Sequence, residues 1–95
     1  MKKLSKKAVN EWLGSYSSWV ADGRRVYMCG AYRVNGEIHL FRAFHGHSVD
    51  ANVYGGVPTV DLKDIVQGWL DGEWTKITTV RRIVDAVNSA YFEEW

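Results

Sequence analysis

The sequence predicts an α+β fold, in which three helices flank a short antiparallel sheet in the order α-β-β-(β)-α-α. The first observation is Asn35-Gly36, which stands between two runs rich in apolar and β-favouring residues. This pattern is the strongest short-range signal of a β-hairpin, because both turn residues must tolerate positive φ. The second observation is that apolar residues recur at helical spacing in three other segments. We therefore expect residues 1–95 to form one compact domain with a modest core.

A two-residue turn fixes the register of the hairpin, and the register sorts its side chains between two faces. It predicts Tyr32 opposite His39 and Gly30 opposite Phe41, since paired residues share a face. One face then carries Tyr27, Cys29, Ala31, Arg33, Ile38, Leu40, Arg42 and Phe44. The other carries Val26, Met28, Gly30, Tyr32, Val34, His39, Phe41, Ala43 and His45. We interpret the first as the main core face because it has small residues at its centre. Both faces are apolar enough to need a cover, from helices or from a partner.

Helical periodicity and end signals define the first two helices. The first is expected to begin at Ser5, its N-cap, and to end at Asp22-Gly23. The second is expected from about Leu62 to Leu70, with Asp61 as its cap and Asp71-Gly72 as its stop. Their inward residues are Val9, Trp12, Leu13, Tyr16, Trp19 and Val20 in the first helix and Leu62, Ile65, Val66 and Trp69 in the second.

The third helix and the third strand have weaker boundaries. The helix is expected to start at Thr78 or Thr79, and its inward residues are Val80, Ile83, Val84, Val87 and Tyr91. Between the hairpin and the second helix, Val49, Ala51 and Val53 alternate with polar residues. This alternation permits a short third strand before Pro58.

Charges at two helix ends oppose the helix dipole. Four lysines crowd the start of the first helix, and two glutamates crowd the end of the last. These residues are Lys2, Lys3, Lys6 and Lys7, and Glu93 and Glu94. Either the two ends lie close together and offset each other, or both sets of charges are solvated.

Composition excludes several classes of protein. The net charge of +1 gives no overall attraction to nucleic acid or membrane. No apolar run approaches the length of a membrane span, and no apolar stretch typical of a signal peptide follows the basic N-terminal residues. The single cysteine cannot form an internal disulfide and is typical of a reducing compartment. We therefore expect a cytoplasmic protein.

The residues that could carry metal binding or catalysis do not converge. His39 and His45 are six residues apart on one strand, which is roughly 20 Å and too far for one ion. His45 and His47 could share an ion with Asp50, but polar residues at a strand end are the simpler interpretation. Cys29 lies on the opposite face beside Arg42, without a general base, and is interpreted as a core residue. We expect no metal, no cofactor, no catalytic residue and no enzymatic activity.

DNA binding is the alternative function. The helix pair 61–70 and 79–92 could act like a helix-turn-helix, with Thr78, Thr79, Arg81 and Arg82 at the start of a reading helix. Lys76 and the lysines of residues 2–7 could contact phosphates. Two features oppose this interpretation. The connection is longer than a helix-turn-helix turn, and the second half of the chain is net negative.

A surplus of aromatic residues favours a protein partner. The chain has five Trp and five Tyr, and several aromatic residues fall off the core stripes. Exposed aromatic residues near arginine are typical of interface hot spots. The predicted partner-binding residues are Trp74, Trp95, Tyr54, Phe92, Arg81 and Arg82. Trp74 and Phe92 could instead form a lid over the second sheet face. That face could also mediate a homodimer.

The sequence therefore predicts a small, non-enzymatic, protein-binding module. An accessory regulator or inhibitor, of the kind that phages and mobile elements direct at host complexes, fits this size and composition.

Overall fold

The computed structural model describes residues 3–14, 28–43 and 59–92. In chain order, these residues form α1 (Lys6–Gly14), β1 (Met28–Val34), β2 (Glu37–Ala43), β3 (Thr59–Asp61), α2 (Lys63–Leu70) and α3 (Lys76–Phe92). The strands form an antiparallel sheet in the order β2-β1-β3. The predicted α+β fold is confirmed.

The hairpin has the predicted turn and register. Asn35 has φ of 52° and Gly36 has φ of 81°, as a two-residue hairpin turn requires. Tyr32 pairs with His39 and Gly30 pairs with Phe41. Because the turn is tight, it leaves no freedom to slip by one residue and exchange the two faces.

The third strand lies later in the chain than the sequence predicts. It is formed by Thr59–Asp61, whereas the segment predicted from Val49 to Val53 lies outside the described residues. Within this strand, Val60 pairs with Ala31 of β1. The third strand pairs with the edge of β1 that β2 leaves free. The residues around Val60 carry no signal of this long-range pairing. Gly30 permits it, because a Cβ at this position would overlap the Val60 carbonyl oxygen.

The start of α1 and both ends of α2 follow the predicted signals closely. The Ser5 hydroxyl accepts a hydrogen bond from the Ala8 N–H at 3.1 Å, which confirms Ser5 as the N-cap of α1. Asp61 accepts from the Lys63 N–H at 2.9 Å, one position before the structural N-cap of α2. Gly72, with φ of 80°, ends α2. The predicted end of the first helix, Asp22-Gly23, lies outside the described residues.

Helix α3 begins earlier than predicted, at Lys76 rather than at Thr78 or Thr79. Thr75 is the cap: its hydroxyl accepts from the Thr78 N–H at 3.2 Å, and its carbonyl accepts from the Thr79 N–H at 2.9 Å. Thr75, Thr78 and Thr79 could each cap this helix, and the surrounding sequence does not indicate which of them is the cap. Thr79 is fully buried, so packing selects the earlier start.

The core lies between the first face of the sheet and the three helices. Cys29 and Ala31 are fully buried, which confirms that this is the main core face. The buried apolar cluster contains Leu4, Val9, Leu13, Cys29, Ala31, Leu62, Val66, Val80, Ile83 and Val87. Helix α3 also reaches the sheet through Tyr91, whose hydroxyl donates to the Ala31 carbonyl at 3.3 Å. Burial raises the pKa of Tyr91, and the nearby Arg33 guanidinium partly opposes this shift.

The second face of the sheet is covered in part by its own aromatic side chains. Tyr32 is only 8% exposed. Its ring stacks on His39 with centroids 5.2 Å apart and packs at a tilt on Phe41 at 5.9 Å. Phe41 also lies over Gly30, as the register predicts. Met28 is the exposed large hydrophobic residue on the described part of this face, so the predicted homodimer would have a small apolar contact there.

One asparagine joins the segment before α1 to the last turns of α3. The Leu4 N–H donates to Asn88 Oδ1 at 2.9 Å, and Asn88 Nδ2 donates to the Leu4 carbonyl at 3.2 Å. The start of α1 therefore lies beside the end of α3, as the first interpretation of the opposed charges requires. Glu93 and Glu94 lie outside the described residues.

Replacing Asn88 with alanine tests this junction. Asn88→Ala should lower the free energy of unfolding by about 2 kcal/mol, because two hydrogen bonds are lost and two main-chain groups of Leu4 lose their partner. Urea denaturation measures the loss. Ser89→Ala, at an exposed neighbouring position, is the control and should be neutral.

Cys29→Ala tests the buried thiol. We expect a loss of about 1–2 kcal/mol from the small cavity and an unchanged fold, measured by denaturation and circular dichroism. Labelling of the wild-type thiol by a maleimide should be slow in native conditions. Rapid labelling would contradict the assigned burial.

Candidate partner-binding surface

A shallow groove separates α1 from the first turns of α3. It encloses about 380 Å³. Its lining residues are Lys6, Lys7 and Asn10 from α1 and Ile77, Val80 and Arg81 from α3. Residues of α1 face the first turns of α3 in this groove, whereas Leu4, which precedes α1, contacts Asn88 near the end of α3. The two helices therefore run antiparallel. The groove is thus open between two rigid elements, and side chains from both helices form its walls.

Ile77 is the most prominent apolar residue of this surface. It is 83% exposed, whereas Val80, one turn further along α3, is buried. Within the described residues, Ile77 and Met28 are the two exposed large hydrophobic residues, and Met28 is only 39% exposed. Ile77 therefore extends the apolar stripe of α3 beyond the part that the described residues cover.

The sequence prediction missed Ile77 for a specific reason. Ile77, Val80, Val84, Val87 and Tyr91 follow one helical stripe, with spacings of three and four residues. A helix that starts at Thr78 leaves Ile77 in a loop. The earlier start at Lys76 makes it the first member of the stripe. The spacing was a usable signal, but the wrong choice of capping threonine concealed it.

Trp74 lies next to this region and makes intramolecular contacts. Its indole N–H donates to the Ile65 carbonyl at 3.1 Å, and its ring fills the space where a Cβ at Gly68 would stand. The Arg82 guanidinium lies 4.4 Å from the ring centroid. Trp74 is half-buried and ties α2 to the start of α3. The predicted lid would place Trp74 over the second sheet face, whereas these contacts place it against α2. The outer part of the Trp74–Arg82 stack remains accessible.

The charged groups around the groove are mostly cationic. Lys6, Lys7 and Arg81 are exposed and, among the described residues, take part in no ion pair. Among the described residues no carboxylate lines the groove, and the exposed Glu11 lies one turn from Lys7 on α1. Asp85 is nearby on α3: at 100° per residue, it lies between Arg81 and Arg82 on the exposed face of the helix. The cations therefore face the groove, whereas the outer face of α3 has mixed charge.

The remaining predicted site residues do not join this groove in the described structure. Phe92 is half-buried at the far end of α3. Trp95 and Tyr54 lie outside the described residues. Of the predicted set, the structure thus brings together Trp74, Arg81 and Arg82 at the start of α3, and it adds Ile77 to them.

The helix pair proposed for DNA binding differs in the structure from the sequence prediction. The connection between α2 and α3 is residues 71–75, shorter than the segment predicted from sequence but still longer than a typical helix-turn-helix turn. Thr79, predicted to face DNA, is buried, and its hydroxyl donates to the Thr75 carbonyl at 2.8 Å. Thr79 is therefore not available to contact a base.

Neither a metal-ligand cluster nor a membrane-spanning helix is found in residues 3–14, 28–43 and 59–92. His39 is exposed, stacks on Tyr32 and has Nε2 3.7 Å from a Glu37 carboxylate oxygen. His45 and His47, the predicted candidates for a shared ion, lie outside these residues.

Comparison with protein-family models, with curated proteins and with solved structures finds no match to this chain. Function must therefore be inferred from the surface itself.

Truncating Trp74 separates its structural role from a role in binding. Trp74→Ala should lower the free energy of unfolding by about 2–3 kcal/mol, because the ring and its hydrogen bond to Ile65 are both lost. Arg82→Ala should cost at most about 1 kcal/mol, because it removes only an exposed cation–π contact. Urea denaturation measures both. An unchanged stability in Trp74→Ala would identify Trp74 as a residue held for a partner.

Proposed function

We propose that this chain is a non-enzymatic protein-binding module, which regulates or inhibits a larger complex through the surface at the start of α3. The observation that carries the proposal is Ile77, which is 83% exposed in a groove between two helices. Burying such a side chain against a partner contributes about 1.5–3 kcal/mol. A single exposed apolar residue is common on protein surfaces, so the surroundings of Ile77 decide its interpretation.

Those surroundings have the composition of an interface. Val80 forms an apolar floor, and Arg81 and Arg82 stand beside the stripe. Trp74 is held rigidly by α2, so its stack with Arg82 would lose little entropy on binding. Tryptophan and arginine are enriched among residues that dominate binding energy. The described residues that line the groove offer amines, a guanidinium, an amide and apolar groups, which suit a partner with both acidic and apolar side chains.

DNA binding remains the second candidate, because Lys6, Lys7, Arg81 and Arg82 form a cationic region on two neighbouring helices. Two features oppose it. On the outer face of α3, Asp85 places a carboxylate between the two arginines, where it would repel a phosphate backbone that contacts both; Asp85 is not among the residues that line the groove. Thr79 is buried rather than presented to bases. A protein partner uses Ile77 as well as the cations, so it accounts for more of the surface.

The test uses capture of natural partners from a lysate of the source cells, with Ile77→Ala and Met28→Ala as matched variants. Both remove an exposed apolar side chain, so both should keep their thermal stability. Ile77→Ala should weaken binding of the captured protein by about tenfold or more, whereas Met28→Ala should not change it.

Titration with duplex DNA across a salt series completes this test. We expect weak binding without sequence preference. Micromolar or tighter binding at physiological salt would contradict the proposal if it depended steeply on salt and was lost in Arg81→Ala and Arg82→Ala but retained in Ile77→Ala.

A further inference from the structure

We infer that the groove between α1 and α3 binds an acidic segment of the partner protein, in which an apolar side chain is flanked by carboxylates. This inference rests on the proposed function and specifies the chemistry of the partner. It follows from the size of the groove, from the position of its apolar residues and from the sign of its charges.

The size of the groove limits what can enter it. About 380 Å³ is near the lower end of the range for ligand-binding sites, roughly 300–1,000 Å³. Such a space accepts one or two side chains of a chain segment rather than a folded surface. Ile77 and Val80 form its apolar part, so the inserted side chain is apolar.

The charges on the two walls define what flanks that side chain. Lys6 and Lys7 stand on the α1 wall, and Arg81 stands on the α3 wall. Within the described residues these three cations have no ion-pair partner. A segment lying between the walls meets positive charge on both sides, and carboxylates before and after the apolar residue complement it.

Other occupants fit less well. In a symmetric dimer formed through this groove, each copy would place its cations against those of the other. Nucleic acid would pair with the cations but would leave Ile77 without an apolar partner.

Selection from a random library of short displayed peptides tests the inference, with the full chain as target. The library is selected in parallel on the wild type and on the variant Lys7→Glu/Arg81→Glu. Peptides enriched on the wild type alone should be net negative and carry an apolar residue between acidic ones. As synthetic peptides, they should bind about tenfold more weakly to Ile77→Ala, and their affinity should fall as salt rises from about 50 to about 500 mM.

Two controls accompany the selection. Met28→Ala removes an exposed apolar residue elsewhere, and Lys63→Glu makes the same type of charge reversal outside the groove. Neither should change peptide affinity. Thermal melting of every variant verifies the fold, which is expected to be intact because the substituted side chains are exposed.

Enrichment of neutral or basic peptides, or equal enrichment on the charge-reversed variant, would overturn the inference. If natural-partner capture depends on Ile77 while the selected peptides are not acidic, the inference fails and the proposed function stands. If acidic peptides bind the groove while capture is unaffected by Ile77→Ala, the proposed function fails. If the affinity of the enriched peptides is the same for Ile77→Ala as for the wild type, the inference is also overturned, because the groove is then not the binding site.

Discussion

The left-handed backbone at Asn35 and Gly36 is the local constraint on which the β1–β2 pairing, and with it the core face of the hairpin, depends. It sets a two-residue turn, and the turn sets the pairing of every residue in β1 and β2. Because side chains alternate along a strand, this register directs Cys29 and Ala31 to the helices. On the other edge of β1, Gly30 pairs with Asp61 of β3, and a Cβ at Gly30 would overlap the Val60 carbonyl oxygen.

Helix α3 connects this sheet to the surface that we assign to binding. It contacts β1 through Tyr91, the segment before α1 through Asn88, and the connection from α2 through the Trp74–Arg82 stack. These contacts hold both ends of the helix. The first turn carries Ile77 outward beside α1, and no described residue covers it.

Sequence reasoning succeeded where the interactions are local and failed where they are not. The hairpin, the Ser5 cap and the Gly72 stop each depend on a few adjacent residues, and all were predictable. The third strand was not, because the pairing of Val60 with Ala31 depends on a distant strand edge. The start of α3 could not be assigned among three threonines, and this error concealed Ile77. The groove could not be predicted, because it depends on how α1 and α3 pack and no local sequence signal reports that packing. The opposed charges at the two helix ends were the one indirect indication that these helices are neighbours.

Ile77 is exposed to solvent, and the proposed function requires that a partner covers it. Methyl NMR with a soluble paramagnetic agent measures this directly, since the four isoleucines include Ile83, which is fully buried and serves as the internal reference. We predict strong broadening of the Ile77 methyl signals, little broadening of those of Ile83, and protection of Ile77 when a captured partner is added. Protection of Ile77 equal to that of Ile83 in the free protein would contradict the account.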